Sequence, residues 1–156
     1  MSCEGLAARQ IAEHGLSRSL AQGFQSCLRE GDSILSAGKV EEDSFPRFAE
    51  LNVRFHGLIV EGSGNLAVQR ALALNDAIPF SAATAVVSTY NDPLEAYQGL
   101  VHSHFQHRAI VEALSEGEGT RADALMREHS NATKTIVRRM RELHNLRLPG
   151  AHLITV

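Results

Sequence analysis

The sequence predicts an all-α fold, an antiparallel bundle of six to seven helices, and three observations carry that prediction. Strand signals are nearly absent: Val-Ile-Thr-aromatic alternations are few, and no Asn-Gly or Asp-Gly turn separates two apolar runs. Helix start and stop residues recur along the chain. Apolar residues in the long segments repeat at three, four and seven positions, the spacing of one helical face.

Each element follows from this punctuation. Leu6 to Glu13 reads as a helix stopped by Gly15, and Ser17 caps a second that runs to about Gly38. Polar loop follows to Asp43. Ser44, with Pro46 just inside, opens a third helix ending at Gly62-Ser63-Gly64. A fourth runs from about Asn65 into the Ala-rich stretch before Tyr90, with Pro79 as a kink or break. Asn91, Asp92 and Pro93 start a fifth, which runs to Gly117. Thr120, with Asp123 three residues on, has the form of a capping box and opens a sixth helix past Met140. After Pro149 no periodic signal remains. Packing these stripes against one another gives a helical bundle.

Composition narrows the function classes. The 156 residues suit one domain, and 44% hydrophobic with 21% charged residues is an ordinary globular balance. No apolar run approaches the roughly 18 residues of a membrane span, and the N-terminus lacks the order of a signal peptide. Cys3 and Cys27 form no CxxC pair, which fits a reducing cytoplasm. Net charge is −3, and the 13 Arg and 2 Lys are spread out except at Arg138, Arg139 and Arg141, so direct nucleic-acid binding by this chain is disfavoured.

The eight histidines are more informative. Successive side chains on a helix lie about 100° apart. In the third helix the stripe is Phe48, Leu51, Phe55 and Ile59, with Asn52 and His56 as an i, i+4 pair on its border. His107 interrupts the stripe Leu100, Ile110, Val111, Leu114 of the fifth helix; His129 interrupts Ala122, Leu125, Met126, Ala132, Ile136, Met140 of the sixth. A buried imidazole lacking a partner costs about 1–3 kcal/mol, so each needs an acceptor, an acidic neighbour or a metal. Taken singly, each is more simply a satisfied core histidine. Together, three imidazoles and one amide could share a cation such as zinc or nickel. His102 faces solvent; His104 lies about 60° from His107 and forms an HxxH with it. His14, His144 and His152, like those two, read as structural or surface residues.

At these residues the chain resembles a known family. Phe48-Ala-Glu-Leu-Asn52-Val-Arg-Phe55-His56, followed by Glu61-Gly-Ser-Gly-Asn65, is similar to one signature of the FadR C-terminal (FCD) domain, the effector-sensing domain of GntR-family bacterial transcription regulators. His107-Arg-Ala-Ile-Val-Glu-Ala-Leu and Ala124-Leu-Met-Arg-Glu-His129 are similar to a second. The likeness extends from Glu4-Gly-Leu-Ala-Ala to Met140. It implies an FCD-like bundle over residues 4–145, a C-terminal tail over 146–156, and a divalent metal, zinc or nickel, held by Asn52, His56, His107 and His129. It also implies a small carboxylate effector at or beside that metal and homodimerisation. Operator DNA would be held by an N-terminal winged helix-turn-helix domain expected to be absent from this chain. Two departures stand out: position 52 is Asn where many metal-binding members carry Asp, and the Arg expected about four residues before the acidic residue matched by Glu4 would precede Met1.

Three neutral imidazoles and a neutral amide would leave a dicationic centre that favours an anionic ligand. Ser103, four residues before His107, and Thr133, four after His129, would line the rest of the pocket, or bond back to their own helices. The alternatives are a metal-dependent hydrolase or transferase and a metal-free helical interaction domain. A hydrolase asks for a carboxylate base beside the metal. None lies on the three stripes, and no ExxH, G-x-S-x-G or phosphate-cradling loop occurs, so an enzyme is not expected.

Overall fold

A computed structural model describes the backbone of residues 3–75 and 92–144 and the side chains of residues 3–71 and 92–132. Among the described residues the regular secondary structure is all helix: α1 (Cys3–His14), α2 (Arg18–Leu35), α3 (Ser44–Gly62), α4 (Leu66–Asn75), α5 (Pro93–Ser115) and α6 (Gly119–His144). The fold class read from the sequence is the one observed. The latter part of the fourth predicted helix, Pro79 included, and the tail over 146–156 lie outside the described residues.

Local chemistry sets the ends. Gly15 terminates α1 with φ +92°, which a side chain would resist. Ser17 Oγ accepts from the Leu20 amide at 3.3 Å, Asn65 Oδ1 from Ala67 and Val68 at 3.0 and 3.2 Å, and Asp92 Oδ1 from Leu94 at 3.0 Å. These caps satisfy amides that a helix start leaves open. Ser44 opens α3 as predicted, and its Oγ accepts from the Glu41 amide at 2.9 Å. One predicted start differs in detail. The Thr120–Asp123 box does not open α6: the helix begins at Gly119, the Ala122 amide bonds the Glu118 carbonyl at 2.9 Å, and Asp123 takes Arg127 at 3.0 Å instead. Asp123 is turned towards α1, where a Cβ on Gly5 would come within 2.2 Å of its Oδ1.

Helix α1 is the inner element. It packs most closely along α6 and also meets α3, α4 and α5, while α2 covers α3 and α5. Ala7, Ala8 and Ala12 are buried, and such short side chains allow this approach. Around them Phe24, Leu51, Phe55, Ile59, Ile110, Leu114 and Met126 form the core, with Phe24 edge-on to Phe55 at 5.3 Å. Among the described residues, no helix is long and apolar enough to cross a membrane.

Candidate metal centre

The buried polar residues include Ser44, Ser63 and His104, but three others meet at one place, where α3, α5 and α6 come together. There His56, His107 and His129 are buried, and one ligating atom from each lies within 4.8 Å of the others. His129 Nε2 stands 3.2 Å from both His56 Nε2 and His107 Nε2. Two nitrogens bound to one tetrahedral ion at about 2.0–2.1 Å are about 3.3 Å apart, so the three histidines could hold one ion at this spacing. Phe55 stacks on the His107 ring at 4.1 Å between centroids, and Phe48 lies near-parallel to it at 6.0 Å. These rings keep water from one side of the cluster.

The outer ring nitrogens decide what the inner ones present. His56 Nδ1 is 2.7 Å from Glu4 Oε1, and an ionised carboxylate only accepts, so Nδ1 carries the proton. His129 Nδ1 is 2.9 Å from Gln106 Oε1, an amide oxygen that again accepts. Both rings therefore turn an Nε2 lone pair inward, and neither has a proton to place between them. A cation satisfies such an arrangement; a second imidazole lone pair does not. The third ring, His107, is fully buried, and its Nδ1 has no hydrogen-bond partner.

Burial keeps His107 and His129 neutral. Burial, then the neighbouring imidazoles, holds His107 well below the usual histidine range. Burial also lowers His129 to about 3, with the charge of His56 acting the same way and Glu4 opposing. For Glu4, burial pushes the carboxyl up, but the hydrogen bonds and charge of His56, with Ser130 Oγ donating at 2.8 Å, outweigh it and the net shift is downward. An anion behind His56 and neutral imidazoles in front are the protonation states a metal ligand set needs.

Of the residues singled out in the sequence, the structure brings His56, His107 and His129 to one point. Asn52 lies one turn before His56 on α3, half-buried, and Ser103 one turn before His107, also half-buried. The Thr133 side chain lies outside those described. His102 is exposed. His104 is buried against α2, where its Nε2 is 3.0 Å from Asp32 Oδ1 and its ring fills the space that a Cβ on Gly31 would occupy. Arg108 binds the same carboxylate and, through that hydrogen bond first, keeps Asp32 below the ordinary aspartate range.

Glu4 and Gln106 were not foreseen as partners of the histidines. The expectation that no carboxylate flanks them holds for the three stripes, but α1 supplies one from outside those stripes. The centre thus has a neighbouring negative charge that the ligand set alone does not show. That carboxylate faces Nδ1 of His56 and is taken up by His56 and Ser130, behind the ring and away from the Nε2 face where a hydrolytic base would act. A groove of about 340 Å³ between α2 and α5, lined by Gln25, Leu28, Phe105 and Arg108 among others, includes none of the three clustered histidines.

No curated protein matches the chain. The FCD domain family model matches residues 2–132, which contain all six helix starts and the three histidines. FCD domains are regulatory effector-binding domains. With most of its length matched and the expected bundle in place, the chain belongs to the FCD domain family, the C-terminal effector-binding domains of GntR-type regulators.

Proposed function

We propose that this chain, over residues 4–145, is a metal-dependent sensor of a small organic acid within a GntR-type regulator. His56, His107 and His129 would hold one divalent ion, zinc or nickel, with the Asn52 amide oxygen as a fourth ligand. The observation that supports this is the inward convergence of Nε2 atoms from three helices, with 3.2 Å separations and with His56 and His129 protonated on the outward nitrogen. Imidazole nitrogen with an amide oxygen suits borderline cations. When bound, the ion supplies a Lewis-acidic centre able to accept carboxylate oxygens.

The side chains do the rest. Glu4 and Gln106 aim the rings of His56 and His129, and Phe48 and Phe55 exclude water around His107. Ser103 and Thr133 would offer hydroxyls to the distal part of the effector. Because the three ligands come from three helices, occupancy changes how α3, α5 and α6 pack, and in a homodimeric regulator of the cytoplasm that change would move the attached DNA-binding domains. DNA contact would fall to such a domain and not to this bundle.

Elemental analysis of the protein purified without chelator tests the first step. One equivalent of zinc or nickel is expected, with a rise in melting temperature on loading that His56→Ala and His129→Ala both abolish, since a ligand bound only by the folded state stabilises it. Wild-type protein that takes up neither metal, or alanine variants that keep the full shift, would refute the reading. A screen of small carboxylates for a further, metal-dependent shift then identifies the effector class.

A further inference from the structure

Glu4 lies in the first turn of α1, outside all three helices that carry the histidines, yet its carboxylate reaches two of them. Oε1 accepts from His56 Nδ1 on α3 at 2.7 Å, and Oε2 accepts from Ser130 Oγ on α6 at 2.8 Å. Ser130 directly follows His129 and is also 3.0 Å from the Met126 carbonyl, so its hydroxyl is pinned at the turn that presents His129. The Glu4 side chain is only 15% exposed, and a largely covered carboxylate with charge-assisted bonds on both oxygens is held in one geometry. Gly5, the next residue, allows the approach, because any Cβ there would collide with Asp123 on α6.

We propose that Glu4 is the positioning residue of the metal centre: it fixes the Nδ1–H tautomer of His56, keeps that ring's Nε2 lone pair on the cluster, and ties the first turn of α1 to it. The proposal rests on the metal-binding reading above. A histidine whose outer N–H is donated to a carboxylate is a more basic ligand, and the same anion lowers the net charge of the loaded site. The coupling runs both ways: an imidazole with a cation on Nε2 is a stronger Nδ1–H donor, so a loaded centre grips α1 more firmly.

Two measurements on the full chain test it, with zinc as the probe. Competition against a chromophoric chelator should show Glu4→Gln binding zinc roughly 10- to 100-fold more weakly than wild type. The metal-free variant should melt close to wild type, because the amide can keep one hydrogen bond in place. Rescue by Glu4→Asp is expected to be partial at most, the shorter chain missing one of the two donors. Nitrogen-15 NMR of the metal-free protein should show His56 as the Nδ1–H tautomer in wild type and a mixed or Nε2–H ring in Glu4→Leu, which offers no acceptor, whereas the amide oxygen of Glu4→Gln can still accept from Nδ1–H. An unchanged zinc affinity together with an unchanged tautomer overturns the proposal. If Glu4→Gln does not fold, Ser130→Ala carries the test: it keeps the carboxylate and removes one donor that aims it, and wild-type affinity there overturns the proposal equally. Wild-type protein that fails to bind zinc sinks the sensor reading, and the tautomer measurement still decides the role of Glu4.

Discussion

Replacing His107 by Leu separates a ring kept for a ligand from a ring kept for packing. In metal-free protein the substitution removes a fully buried Nδ1 that has no partner, a group whose burial costs about 1–3 kcal/mol. It also forfeits the stack on Phe55, 4.1 Å between centroids at 24°, worth about 0.5–1.5 kcal/mol. Leu is close in volume to the imidazole, so no large cavity or overlap enters. The variant also loses the His107 Nε2 that stands 3.2 Å from His129 Nε2, a loss of about 1–3 kcal/mol, so gain and losses nearly cancel and the metal-free melting temperature should stay within about 2–4 °C of wild type. Most core substitutions of a fully buried ring cost more than this. With free zinc at about 100 times the wild-type Kd, wild-type protein gains about 2.7 kcal/mol and the variant gains nothing. Differential scanning calorimetry with chelator and with zinc gives both numbers. A metal-free variant several degrees less stable than wild type, with its zinc shift intact, would show that His107 is a packing residue and refute the lone-pair argument.

The remaining tests address charge and coupling. Stability of the metal-free protein should fall as the pH drops below about 6.5: His129 titrates near 3 when folded, against 6.5 as its ordinary value, so the unfolded chain takes up the proton first. The slope is about 1.4 kcal/mol per pH unit for each such ring, His107 acts in the same direction, and the lowered Glu4 adds to the loss only once the pH is below its ordinary value of 4.5. A urea midpoint that stays flat between pH 6.5 and 5 would contradict this. Asn52→Asp should tighten zinc by about tenfold, or 1.4 kcal/mol, and weaken any carboxylate effector, because it adds a charge to the ligand set. An unaltered zinc Kd would remove Asn52 from that set. Hydrogen exchange at the amides of Ala7 and Ala8, which bond helically to the carbonyls of Cys3 and Glu4, should slow on zinc loading in wild type but not in Glu4→Gln. Equal slowing in both would show that α1 is ordered by some other contact.

Much of this was legible because helices announce themselves locally. Ser17, Asp92 and Gly15 act within a few residues of their own positions, and the caps and the positive φ appear where the sequence put them. The three histidines were legible for a related reason: a polar residue at a core position on a periodic stripe must meet something, and three stripes facing one core must meet one another. Glu4 was hidden because it belongs to a different helix, 52 positions from His56 and 126 from Ser130, and periodicity within one helix says nothing about register between two. Gln106 was closer to hand, one residue before His107, but its role depends on how far α5 is rotated towards α6. The Thr120–Asp123 pattern misled because Asp123 had a stronger claim from Arg127.

The position of Glu4 also alters the charge argument for the effector. Three imidazoles and an amide alone would leave a bound dication uncompensated, and any anion would serve as its counter-charge. With Glu4 ionised behind His56, the net charge of a metal-loaded centre would fall to about +1, so a monocarboxylate would suffice for neutrality and a second carboxylate would need a cation of its own. Arg108 does not supply it, being taken up by Asp32 on α2. On this balance a hydroxy- or keto-monocarboxylate, chelating through two oxygens while adding one negative charge, is favoured over a dicarboxylate for the site formed by the described residues. Thermal shifts measured with matched mono- and dicarboxylates on zinc-loaded protein decide it: a larger shift from the dicarboxylate would mean that a further cation reaches the pocket.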